Sequence, residues 1–306
     1  MQGFYLYNPH NMFSSAIESV SAFTRPIHSI VRNFKSTKIL PGSATIFFIN
    51  MEGYALTCKH VAEMIIAADQ INSKHKTFLV EKNNLSKTES YAENLLALEQ
   101  KYNYNENITT ELKTNFVDSV DKMDSFTITV HPHLDLAVIK FNGFEQLKYS
   151  QCAKFIKDDT QLKQGKFLCR LGFPFPEFNN FKFNQNAEEI EWTQTGNNLS
   201  PIFPIEGMVT RFLGDQQNGI YGIEMSTPGL RGQSGGPLFD ENGVICGMQY
   251  STKHLHLGFD LEEKEININN KIKKISDYPF IHLGQCIHVS TIKAFLKEHG
   301  ISYFEA

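Results

Sequence analysis

Apolar and polar positions alternate over short distances through most of this chain, too short for long helices. From Pro41-Gly42 onward, β-branched and aromatic runs such as Ala44-Thr45-Ile46-Phe47-Phe48-Ile49 and Tyr54-Ala55-Leu56-Thr57 are separated by Gly, Asn and Asp. Such runs favour extended backbone and the separators favour turns, which predicts strands of small antiparallel barrels. Ser125–Val130 and Leu136–Phe141 continue the series. After a polar connection near residues 143–162, a second series follows at Phe167–Cys169, Gly207–Leu213, Ile220–Met225 and Val244–Met248. The predicted fold class is all-β, with two six-stranded antiparallel barrels at residues 41–145 and 146–306.

Three stretches depart from that texture. Residues 12–34 read as one or two short amphipathic helices broken at Pro26, giving a helical extension over residues 1–40. Tyr91, Leu95, Leu98 and Tyr102, then Leu112, Phe116, Val120 and Met123, recur at three or four residues and predict a helical hairpin at about 88–124. Thr291–Glu298 predicts a C-terminal helix capped by Ser290 and stopped by Gly300. No internal repeat or low-complexity stretch occurs.

Composition narrows the function classes. The 306 residues carry 29 basic and 33 acidic side chains, a net charge of -4, with no dense Lys/Arg block. A positive field for nucleic acid is absent, so none is expected as a partner. No apolar run reaches the roughly 18 residues that span a bilayer, so no membrane association is expected. The start lacks the basic, apolar and small-residue parts of a secretory signal. Five scattered cysteines, Cys58, Cys152, Cys169, Cys246 and Cys286, read as reduced packing groups. Together these features lead to the expectation of a cytoplasmic protein.

Candidate chemistry concentrates in three segments. Gly232-Gln233-Ser234-Gly235-Gly236-Pro237-Leu238 places a serine among glycines, where backbone N–H groups can converge on one oxygen without obstruction. The N–H groups of Gly232 and Ser234 are the candidate oxyanion hole, a device contributing roughly 3–4 kcal/mol per donor in tested enzymes. A serine needs a base, and His60 stands where a strand ends and a short helix begins. Asp135 opens the apolar run Asp135-Leu136-Ala137-Val138-Ile139, where a carboxylate needs a partner, and His60 is the candidate. The plain alternatives are a glycine-rich turn, a structural histidine and an acid that merely starts a strand.

In the order His, Asp, Ser these segments resemble the chymotrypsin-type serine proteases. Gly53-Tyr54-Ala55-Leu56-Thr57-Cys58-Lys59-His60-Val61, Asp135–Ile139 and Pro228–Leu238 are most similar to the bacterial high-temperature-requirement (HtrA-type) group, with support from Leu171–Pro174 and Phe203–Arg211. The resemblance runs over roughly residues 40–298. It implies the chymotrypsin-like two-barrel fold and a serine endopeptidase with Ser234 as nucleophile, His60 as general base and Asp135 orienting that base.

Departures from the family pattern shape further expectations. Gln233 replaces the Asp that pairs with a newly cut N-terminus in classical zymogens, so activation by such cleavage is not expected. The expected form lacks the PDZ module. By resemblance the S1 pocket, which holds the P1 side chain before the scissile bond, has its base at Pro228, Gly229 and Leu230 and its wall at Tyr250, Ser251 and Thr252. No Asp lies at that base, so the expected P1 residue is small or apolar, with Arg231 at the mouth adding an acidic preference. His131-Pro132-His133 and His254-Leu255-His256 lack further ligands nearby, and Trp192 reads as packing, so no metal or cofactor is expected. The expected partners are a protein or peptide substrate and a regulatory protein docking on the helical insertion or the N-terminal helices, as in conditionally activated proteases of bacterial stress or defence systems. The alternative is a catalytically silent barrel that binds a partner.

Overall fold

The structure is a computed structural model that describes residues 12–215, 219–268 and 271–306. Residues 1–11 of the predicted N-terminal extension lie outside the described residues. Six strands form the first sheet: β1 (Thr24–Asn33), β2 (Ile39–Phe48), β3 (Tyr54–Thr57), β4 (Thr109–Phe116), β5 (Ser125–Val130) and β6 (Ala137–Asn142). They run antiparallel in the order β4-β1-β2-β3-β6-β5. The edge strands β4 and β5 do not pair, so this sheet is a curled half-barrel rather than the predicted closed one. Side chains join its edges instead, Phe116 packing against Phe126 at 5.4 Å and against Phe141 at 5.0 Å.

The second sheet closes. β7 (Phe167–Gly172), β8 (Phe203–Asp215), β9 (Gly219–Met225), β10 (Pro237–Phe239), β11 (Ile245–His256) and β12 (Phe280–His288) run in the order β10-β7-β8-β9-β12-β11, and β11 pairs back with β10. One continuous apolar cluster, including Ile46, Phe48 and Phe141 from the first sheet and Leu171, Ile223 and Met248 from the second, joins the two units.

Four α-helices occur among the described residues: α1 (Ser14–Ser21), α2 (Lys59–Asn83), α3 (Tyr91–Tyr102) and α4 (Val289–Glu298). The expected helix in the second half of residues 12–34 is instead β1, with Pro26 inside the strand. Ile27 and Ile30 face opposite sides of this strand, Ile27 toward the main core and Ile30 toward Phe178 and Ile190. Burial on both faces removes the two-residue alternation and leaves a helix-like spacing. The helical pair also differs from the expected 88–124. Its members are α2 and α3, while Leu112 and Phe116 lie on β4, four apart and thus on one face of a strand. At the C-terminal helix, His288 rather than Ser290 is the N-cap, its ring accepting from the Ser290 N–H.

Two buried histidines are expected to make the fold acid-sensitive. His28 on β1 stacks on Phe178 at 3.9 Å, and His75 on α2 meets the Arg32 guanidinium at 3.1 Å. Burial pushes both imidazoles down from 6.5 to about 4, with the Arg32 charge adding to the effect at His75. Between those values the unfolded chain binds protons that the folded chain refuses. Their contribution to stability is therefore fully present above about pH 6.5 and falls as pH drops toward 4. Urea unfolding across this range is expected to show the loss, and a His28→Gln/His75→Gln variant a flatter pH profile.

Candidate active site

β3 delivers His60 to the rim of the first sheet. Its last residue is Thr57, Cys58 keeps extended backbone as the N-cap, and the chain then turns into α2 with His60 in the first turn. The ring is half exposed, at 52%. Asp135 lies in the bend before β6, and His131 shapes that bend. The His131 Nδ1 accepts from the N–H groups of His133 and Leu134 at 3.2 and 3.0 Å, while the His131 main-chain N–H donates to the Leu136 carbonyl. This role assigns His131 to support of the Asp135 loop.

Asp135 grips His60 at two points. Oδ1 accepts from the His60 main-chain N–H at 2.9 Å, and Oδ2 lies 2.7 Å from Nδ1. Burial alone would raise the Asp135 carboxyl. Hydrogen bonds from the His60 ring and from the N–H groups of His60 and Lys59 outweigh it and hold the carboxyl below its usual range. An ionised carboxylate only accepts, so Nδ1 carries the proton and Nε2 presents a lone pair. Cys58 Sγ also lies within 4.8 Å of the His60 and Asp135 ligand atoms. Burial, and then the Asp135 charge, push that thiol well up, and it donates to the Gln249 carbonyl. Cys58 is thus a fully buried thiol packed beneath His60 and Asp135.

Ser234 sits in a turn fastened to both sheets. The Gln233 N–H donates to the Leu230 carbonyl at 3.0 Å, with Gly232 at φ +90°, the conformation a type II turn requires at its third residue. A Cβ on Gly232 would lie 2.4 Å from the Phe173 carbonyl oxygen. Buried Gln233 braces the turn from below, Oε1 accepting from the Leu230 N–H and Nε2 donating to the Phe203 carbonyl. Among the described residues, the N–H groups of Gly232 and Ser234 donate to no group of the chain.

β2 supplies the clamp on the other side. The Thr45 N–H donates to the Ser234 carbonyl at 3.0 Å, and its hydroxyl donates to the Gly232 carbonyl at 2.7 Å. Gly235, at φ +86°, is pressed so closely against β2 and β3 that a Cβ would lie 2.1 Å from the Thr45 carbonyl and 2.5 Å from the Thr57 hydroxyl. Ser234 is thereby held beside the strand that leads into His60. The structure brings His60 and Asp135 into direct contact. Among the described residues no hydrogen bond joins His60 to Ser234, and the His60 ring bonds to Asp135.

Of the six expected pocket residues, Gly229 and Thr252 bond to each other directly. The Thr252 hydroxyl accepts from the Gly229 N–H at 2.9 Å and donates to the Gly229 carbonyl at 2.8 Å, tying Pro228–Leu230 to Tyr250–Thr252. Ser251 contributes its carbonyl to the Gln249 side chain, and the Tyr250 hydroxyl reaches Gln285. His254 and His256 find separate partners, His282 and Asp260, on the exposed ends of β11 and β12. Trp192 packs near Phe178 at 5.8 Å. Thr45 and His131 escaped the sequence reading of the site. A threonine inside the apolar run Ala44–Ile49 was the available signal for the first.

Comparison with known proteins follows the same segments. Residues 42–248 match the family described as the trypsin-like peptidase domain. The fold is similar to an HtrA-type protease, AlgW, with tripeptide, at 13% identity and a TM-score of 0.45 over 94% of this chain and 64% of that one. The chain thus spans less than two thirds of that protein's length. It is also similar to the active form of the Rv3671c protease from M. tuberculosis, at 11% identity and a TM-score of 0.46 over 100% of this chain and 96% of that one. No curated protein matches the sequence. The family match covers more than half of the chain and contains His60, Asp135 and Ser234, and the chain belongs to the trypsin-like peptidase domain family.

Proposed function

We propose that this protein is a serine endopeptidase that cleaves peptide bonds through an acyl-enzyme on Ser234. The observation that carries the reading is the two-point grip of Asp135 on His60, which leaves Nε2 as the base. His60 takes the Ser234 proton as the hydroxyl attacks the scissile carbonyl. The Gly232 and Ser234 N–H groups receive the developing oxyanion. His60 then returns the proton to the leaving amine, and water, activated by the same ring, releases the acyl group.

The proposal extends to control. α2 begins at Lys59, so the helical pair grows directly out of the residue pair carrying the base. A regulatory protein docking on α2 and α3 would act on His60 through continuous helix, which supports a conditionally activated protease of a bacterial stress or defence system. Four buried free thiols accord with a reducing, cytoplasmic setting.

A fluorophosphonate probe tests the nucleophile, since it reacts only with an activated serine. We expect covalent labelling of Ser234 at neutral pH and its loss in Ser234→Ala and His60→Ala. Labelling that persists in Ser234→Ala would sink the assignment. A folded wild type that neither labels nor cleaves a mixed peptide library would leave the silent, partner-binding barrel.

A further inference from the structure

Arg170 on β7 is the largest fully buried side chain among the described residues. Its Nη1 donates to Gln249 Oε1 at 2.7 Å, and its Nη2 donates to the Thr227 carbonyl at 3.0 Å and hydroxyl at 2.5 Å. The Nε–H has no partner among the described residues. A guanidinium has five N–H donors, so three bonds to neutral oxygens leave donor capacity unused. More important, none of these partners carries a negative charge. The other deeply buried guanidinium, Arg32, shows the usual solution, a direct ion pair with Glu111. A buried cation without a counter-charge is unfavourable, and arginine does not escape by losing its proton.

Its position gives that charge a use. Thr227 immediately precedes Pro228–Leu230, and Gln249 immediately precedes Tyr250–Thr252, the two segments identified with the base and wall of the S1 pocket. The guanidinium is held by the residue at the head of each. Gly284 faces Thr252 across the β11–β12 pairing, and a Cβ there would lie 2.1 Å from Arg170 Nη1. That strand carries no side chain at the point where the cation sits. The Gly284 N–H bonds to the same Thr227 carbonyl, so the guanidinium lies immediately behind the segment Pro228–Leu230. Neither pocket segment contributes a carboxylate.

We propose that Arg170 sets the specificity of this pocket and that the protease cleaves after acidic residues, Asp or Glu, whose carboxylate supplies the counter-charge Arg170 lacks inside the protein. This replaces the expected small or apolar P1 residue and assigns the acidic preference to a buried group rather than to exposed Arg231. It rests on Ser234 being the nucleophile proposed above.

The test compares isosteric peptide pairs, P1 Glu against Gln and P1 Asp against Asn, on the wild-type protein, beside fluorophosphonate labelling, which does not depend on a P1 side chain. The acidic member of each pair is expected to have a kcat/KM roughly 10- to 100-fold higher, the factor that follows from the extra strength of an interaction with a charged group. Arg170→Met is expected to bring the ratio toward one while Ser234 still labels, and Arg170→Lys to restore part of it. A wild type that labels at Ser234 yet cleaves amide, apolar or basic P1 peptides as well as acidic ones overturns the inference and leaves the catalytic reading intact. Should Arg170→Met fail to fold, the wild-type ratios alone decide. Absent labelling brings down the catalytic reading and this inference with it.

Discussion

Replacing Asp135 by Asn is expected to lower kcat about 10⁴-fold with the fold unchanged, the scale set by a wrong histidine tautomer in this type of site. The substituted amide still offers an oxygen to the His60 main-chain N–H, so the loop geometry survives. Its NH₂ group, however, donates toward Nδ1 and makes that nitrogen an acceptor. The ring proton then moves to Nε2, where a lone pair is needed to take the Ser234 proton. Single-turnover labelling by a fluorophosphonate reads this step directly, with thermal unfolding as the control for folding. An Asp135→Asn enzyme within about tenfold of wild type would show that Asp135 only places the His60 backbone.

The second large effect is expected at Gly235, where the turn lies so close to β2 and β3 that it leaves no room for a methyl group. Gly235→Ala adds a Cβ 2.1 Å from the Thr45 carbonyl, 2.5 Å from the Thr57 hydroxyl and 3.0 Å from the Thr57 Cα, at a φ of +86°. Two of those three contacts are backbone of β2 and β3, which cannot yield as a flexible side chain would. Overpacking and left-handed strain together are expected to cost about 3 kcal/mol. The turn that relaxes the clash carries Ser234 with it, and a displacement of the order of 1 Å costs about 100-fold in rate. Gly165→Ala is the matched control. Its φ is +89° and nothing lies within 4 Å, so it carries the strain without the clash and is expected to lose about 1 kcal/mol and no activity. Urea midpoints and labelling rates of the two variants separate these causes. Equal effects would contradict the role assigned to the Gly235 contact.

The two positions differ in how they could be read. Gly235 follows Ser234 in a glycine-rich run that already demanded unusual backbone and close approach. The helix-versus-strand errors had the opposite origin. β1 is buried on both faces, so its apolar residues lost their alternation, and Leu112 and Phe116 satisfy a helical spacing and one face of a strand equally. α2 was expected only as a short helix because its buried stripe of Val61, Ala62, Ile65 and Ala68 lapses before His75 and Phe78 resume it. Closure of the second barrel, and the lack of it in the first, depend on pairings between strands far apart in the chain.

The candidate site was legible for a physical reason: a serine among glycines, a histidine at a strand-to-helix junction and an acid opening an apolar run are each expressed within a few neighbouring residues. From these the sequence by itself determined the strand-rich architecture, the family resemblance and the three candidate catalytic residues. Tertiary structure alone decided that Asp135 holds His60 at two points, that Thr45 clamps the Ser234 turn from the other sheet, and that Arg170 is buried with no carboxylate among its hydrogen-bond partners. Thr45 and Arg170 are ordinary strand residues in one dimension. Burial and partnership are properties of long-range contact, and the partners of Arg170, Thr227 and Gln249, lie 57 and 79 residues away along the chain.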